Sequence, residues 1–554
     1  MRREASRRTS KLRRHSAPRS AGIGRRQRNR RARLHRPCEP SKSASSSSFL
    51  VGMSRLQRMT PKLGAPLAAT TFLLLGASGG LSMLGVVGGV RFALTEEGLA
   101  RFQNPIEPLA VGMALLAIAL GIAAPLRWAS HVVAKRRTEG QRQESASSDP
   151  RSSTPMEPDQ VFYWSAFAAL AMAAGLLIVT WPVSLGPLAI VHHWLDSWFL
   201  WSDAPRLIIQ AAMLFFSALL PMAGLGASIT SLQHLLPRIR SEDGRGVAWL
   251  VVGAGAALAC SGSLLSSPQN ANLLLLLAGV PAFLVAIGAA VFGSFPTSRT
   301  QVDAGFAAAA LPGWSDRRPR LLRAATAAIG GGSACAITVW SSPALPVWES
   351  PSLAAGWLLC ALGAGMLLSG TGHGGGAGSI GHFAATSVAA GIMVAIGTCG
   401  SEQFAMHAGI ASAIVAALAL GAVGFAAGSG RHTLMTRAVR RAGVDSTLLA
   451  RWLVWAALTA WIGAPVVMNV FGPFSTLALL ALSLVALGGV LMIHESSPSP
   501  RGRRLRLYGV WGTVCVMLLL ALLPIRRGSV SLADHPSNNW PARGEASSPA
   551  SNGR

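Results

Sequence analysis

About a dozen stretches of this chain are long and apolar enough to cross a lipid bilayer, and their interiors hold almost no charge. A helical run of about 18 or more apolar residues spans roughly 30 Å of hydrocarbon and satisfies its own backbone polar groups. Such spans are expected at 64–90, 106–128, 161–182, 206–232, 247–267 and 271–294. A second series is expected at 322–342, 353–370, 380–398, 404–428, 452–471, 474–493 and 507–525. The fold class that follows is all-α: a polytopic membrane helical bundle of about 12–13 transmembrane helices.

Composition agrees. Only 13% of the 554 residues are charged, against about 25% in soluble chains. The sixty glycines suit helices that pack closely in lipid, where small residues let backbones approach. The net charge of +27 raises a nucleic-acid reading through phosphate contacts. Its distribution argues against one. Much of the charge lies in residues 1–62, and most of the rest sits in short connections between apolar spans.

Those connections set an orientation. With the N-terminus inside, the even-numbered connections face the cytoplasm and should be basic. They carry Lys135-Arg136-Arg137, Arg238, Arg240 and Arg245, Arg317-Arg318 and Arg320, Arg431 to Arg441, and Arg501, Arg503 and Arg504. The opposite connections are nearly free of Lys and Arg; the stretch from Ser184 to Pro205 has none. A thirteenth span would place Arg526-Arg527 and the polar tail outside, against the rule. The expected site is the plasma (inner) membrane, with a cytoplasmic N-terminus.

Residues 1–62 read as a disordered basic tail, with an organellar transit peptide, a nucleic-acid-binding tail and a gene start at Met53 or Met59 as competing readings. A first membrane half follows over 63–294, a cytoplasmic linker over 295–321, a second half over 322–525 and a polar tail over 526–554. Transporter folds are often built from two such halves.

Four short segments carry a family resemblance. Ser78-Gly79 opens an apolar run that closes on Arg91; Ile118-Ala119-Leu120-Gly121 is followed by Arg127. Pro221 precedes Gly226-Ala227-Ser228-Ile229, and Gly244-Arg245 leads into the fifth span. In this order they resemble the major-facilitator-like membrane domain of fused spermidine-synthase-like proteins, over about the first 260 residues. Gly85, Val86 and Gly89 stand where that family has Tyr, Glu and Trp, and Thr230 replaces a Pro. The resemblance implies a transporter-like bundle. It does not imply aminopropyl transfer, because no strand followed by G-x-G-x-x-G is present.

Ionisable groups inside a membrane are costly and usually functional, and none stands out here. Glu96, Glu97, Glu107, Asp196, Asp203, Glu349 and Glu402 map to outward loops or span ends. His373 in a Gly-rich run, His382, Glu402 and His407 are metal-ligand types, but about 20 helical residues, roughly 30 Å, part the inner pair from the outer. No metal site is assigned. The segment from His192-His193 to Asp203, rich in Trp, suits either haem or cofactor ligation by the two histidines or an interfacial helix. Gln210 and Ser217, two turns apart, Asn469 and Arg91 are the ligand-pathway candidates. The six cysteines form no C-x-x-C pair, and four sit inside apolar spans as small hydrophobes.

No Ser-His-Asp order, nucleophile elbow, paired carboxylates or H-E-x-x-H appears, so no enzyme and no cofactor is assigned. The expected function is transporter-like handling of an unknown small solute by alternating access. A haem- or cofactor-handling assembly protein and a non-catalytic membrane scaffold are the alternatives. The expected partners are the lipid bilayer and that solute.

Overall fold

The computed structural model describes residues 66–88, 110–124, 160–198, 203–235, 245–262, 268–293, 318–342, 351–369, 379–404, 409–437, 444–494, 507–513, and the single residues 504, 515 and 517. Among the described residues there is no strand. The helices are α1 (Pro66–Gly88) and α2 (Ala110–Ala124), then α3 (Gln160–Trp198), α4 (Asp203–Leu235), α5 (Arg245–Ser261) and α6 (Pro268–Gly293). After them come α7 (Arg318–Trp340), α8 (Pro351–Ser369), α9 (Ile380–Phe404) and α10 (Gly409–Arg437). The chain continues through α11 (Val444–Leu458), α12 (Ala464–Phe471) and α13 (Pro473–His494), and residues 507–513 form α14.

Nine of these helices contain a stretch long and apolar enough to cross a membrane, and α2, α5 and α11 are shorter apolar helices. Most expected and observed spans agree within a turn or two; the tenth, expected at 404–428, runs on to Arg437, and two others differ in kind. The third helix does not stop near residue 182: α3 runs on through Pro187 to Trp198. Its 39 residues measure about 58 Å at 1.5 Å per residue, nearly twice the ~30 Å hydrocarbon thickness. Most of the stretch expected as an outer loop is therefore helical, apolar residues such as Val183 and Ile190 carrying the helix onward. The eleventh span is not one regular helix but two, joined by a wider turn. The thirteenth span is described only over α14 and two single residues, so its status as a crossing lies outside the described residues.

Lipid gives no hydrophobic reward for helix association, so close packing must supply it. Glycines make that approach at the crossings. A Cβ on Gly76 would run into the Leu250 carbonyl of α5, and one on Gly121 into the Ala223 carbonyl of α4. Side-chain hydroxyls add links between helices. Ser78 Oγ donates to the Ala278 carbonyl of α6 at 2.7 Å, and Thr230 Oγ1 reaches the Ile122 carbonyl of α2 at 3.3 Å. Ser78 and Gly121 of the resembling segments are thus contact points between helices.

The pairings repeat with an offset of six spans. Early in the chain α1 packs on α5, α2 on α4, and α3 on α4 and α6. Later α7 packs on α11, α8 on α10, and α9 on α10 and α13. The first and second series meet along α5 and α8, where Gly255 faces Gly356 and Cys360, and Gly363 faces Val252. Outward, Leu176, Phe216, Leu284, Ile287 and Ile410 are exposed, large apolar side chains of the kind lipid covers.

Candidate functional site

The most irregular backbone in the described spans lies midway along the eleventh. Pro465 has no N–H to donate, so a regular α-helix through it would lack one hydrogen bond. The helix answers by widening: Thr459–Gly463 forms a π-turn, and the Ala464 N–H reaches back to the Thr459 carbonyl. Single π-turns inside α-helices recur at functional sites. Beyond the turn, α12 ends at Gly472, whose φ of 82° favours glycine, and Pro473 opens α13.

Opposite the break lies the Gly330-Gly331-Gly332 run of α7. The Trp452 ring of α11 covers Gly330, where an added Cβ would sit 2.9 Å from the ring. Gly331 takes the next two turns; a Cβ there would meet Thr459 Cγ2 at 3.2 Å and Trp455 Cβ at 3.3 Å. Thr459 Oγ1 lies 2.8 Å from the Gly331 carbonyl, 2.9 Å from that of Trp455 and 3.2 Å from that of Ala456. One hydroxyl proton is shared among three acceptors, one of them on the neighbouring helix. The π-turn is therefore tied to α7 at the level of its glycines.

Most buried hydroxyls in the bundle donate to a carbonyl three or four residues earlier in their own helix, as Thr326, Ser387 and Thr398 do. Among the described residues three buried side-chain polar atoms have no partner: Trp452 Nε1, Ser412 Oγ and Ser429 Oγ. Trp452 is 8% exposed, two turns before the break and on the same helical face as Thr459. A buried donor left unpaired costs about 1–3 kcal/mol.

The candidates from sequence fall as follows. Ser217 Oγ donates within its own helix to the Leu214 carbonyl at 3.0 Å. Its carbonyl accepts the Trp181 indole N–H at 2.8 Å, joining α3 to α4. Gln210 lies on α4, Asn469 on α12 one and a half turns past the π-turn, and His192 and His193 on the last part of α3; their side chains are outside the described residues, as is all of Arg91. His373 and His407 are outside them too. His382 and Glu402 stand at opposite ends of α9, about 30 Å apart along its axis. The His382 backbone N–H is capped by Ser379 Oγ at 3.0 Å, and its ring meets Phe425 edge-on. Among the described residues no three His, Cys, Asp or Glu side chains gather as a metal site.

Sequence reading passed over Trp452, Thr459, Pro465 and the α7 glycines. A Gly-Ala-Pro run in mid-span (463–465) and three successive glycines in another span were the available signals.

The fold and the apolar surface define a polytopic α-helical membrane protein. No known protein family matches its sequence, and none of the curated proteins does. Among solved structures it is similar to the E. coli fucose:proton symporter, at 14% identity and a TM-score of 0.42, over 78% of this chain and 98% of that one. It is also similar to a bacterial homologue of the iron transporter ferroportin in an outward-facing state, at 15% identity and a TM-score of 0.42, over 77% and 100%. Neither likeness assigns a solute or a mechanism to this chain.

Proposed function

We propose that this chain is a transporter-like membrane protein that passes a small solute by alternating access, the membrane half at 63–294 rocking against that at 322–525. The observation that carries the reading is the recurrence of the same helix pairings with an offset of six spans. Two bundles of like architecture that meet along α5 and α8 can move as bodies against one another. The π-turn in the eleventh span supports the reading as well, because irregular backbone at membrane depth is tolerated where it lines a cavity or is covered by protein. The basic connections in the sequence support a cytoplasmic N-terminus; a Ser241→Cys variant labelled in intact cells by an impermeant reagent would reverse that orientation.

The test uses the α5–α8 seam. Gly262, just past the end of α5, lies against Ser352 of α8. Proteoliposomes holding the protein should release an entrapped mixture of small solutes faster than empty ones. In a cysteine-free background, a Gly262→Cys/Ser352→Cys crosslink should stop that release, and reduction should restore it. Release no faster than from empty liposomes, across the whole mixture, refutes the reading.

A further inference from the structure

Resting on the transport reading above, we propose that the solute is uncharged and crosses without a coupled ion, exchanging hydrogen bonds with neutral groups spaced along one face of α11 and the π-turn that follows it.

The first support is the placement of charge. All 22 acidic residues lie outside the nine candidate spans and the three shorter apolar helices. The basic residues within those helices, Arg245, Arg323, Arg431 and Arg451, stand within a few residues of the ends that meet the basic connections, and so do His382 and His432. Moving a charged solute or a coupling cation through the bilayer interior costs several kcal/mol unless an opposite charge meets it. The mid-depth of these helices holds hydroxyls, indoles and backbone instead.

The second support is the set of groups at the break. Trp452 Nε1 is a buried donor with no partner in the protein itself. Thr459 offers a hydroxyl two turns on, its oxygen still able to accept. Donor and hydroxyl follow one another along the helix, and Trp455, half exposed beside Thr459, adds an aromatic face. Such a series suits a polyol, a monosaccharide or a small amide. Each can replace its hydration bonds one at a time without leaving a net charge unbalanced.

The experiment is stopped-flow light scattering of proteoliposomes. They face gradients of glycerol, erythritol, xylitol, glucose and urea, and in parallel of choline, lysine, lactate and glutamate. Each run is repeated under a valinomycin-imposed potassium potential and under a pH gradient. Uncharged solutes are expected to permeate, at rates unchanged by either gradient. Trp452→Phe keeps the ring and removes the N–H; it should slow the permeant solute about five- to tenfold, as one lost hydrogen bond implies. Because that N–H has no partner in the solute-free protein, the variant should melt at or above the parent's temperature. Movement of the charged set, or a rate that follows potential or pH, overturns the inference and leaves transport standing. So does a Trp452→Phe protein of unchanged rate, or one that melts lower. Movement of no solute in either set removes the transport reading, and this inference with it.

Discussion

Consider Gly255→Ala at the α5–α8 seam. A Cβ at this position would lie 2.7 Å from the Gly356 carbonyl oxygen and from the Cys360 nitrogen, and 2.9 Å from Cys360 Sγ. Two of the three obstacles are backbone atoms, which cannot swing aside as a side chain does. Ordinary contact begins at 3.4 Å, so the helices must part by about 0.7 Å (3.4 minus 2.7) along that line. Overfilling a packed site costs about 1–3 kcal/mol, whereas alanine in a helix interior gains about 0.5–1 kcal/mol over glycine. The difference is a net loss of about 1–2 kcal/mol. Gly288→Ala in α6 isolates the second term, because nothing lies within 4 Å of a Cβ there; it should stabilise by up to about 1 kcal/mol. Unfolding in mixed detergent micelles reads both. The two variants should shift stability in opposite directions, and adding Gly356→Ala to Gly255→Ala should cost less than the sum, since one separation serves both. Equal shifts from Gly255→Ala and Gly288→Ala would refute the view that backbone contact sets this seam.

Two further outcomes follow from the hydrogen bonds between helices. Trp181→Phe removes the indole N–H that reaches the Ser217 carbonyl and should cost about 1 kcal/mol; Ser217→Ala, whose hydroxyl bonds only within α4, should change the same unfolding measurement little. Thr459→Val deletes the hydroxyl linking the π-turn to the Gly331 carbonyl, and amide exchange over 459–466 should quicken while that over α9 stays unchanged.

That the chain is helical and crosses lipid many times was legible in the sequence, because the bilayer imposes a length and a polarity on every span independently of its neighbours. The limits at 351–369 and 473–494 fall close to expectation for that reason. Local breaks were less visible. Pro221 and Pro281 stay inside α4 and α6 without ending them, while Pro465 accompanies a π-turn, and nothing in the residue itself distinguishes the three. The difference lies in what stands opposite: Gly331 leaves room for the turn and offers its carbonyl to Thr459.

Residue chemistry alone also gave the wrong emphasis at Ser217. Its hydroxyl drew attention as a polar group within a span, yet its carbonyl makes the link to α3. Hydropathy determined that this chain lives in lipid and crosses it many times, because that is a property of each segment summed over its own residues. Which glycine meets which carbonyl, which indole is left without a partner, and that the second series of helices repeats the pairings of the first were decided only by the tertiary structure. Those are contacts between positions scores to hundreds of residues apart, and the sequence holds them only through packing.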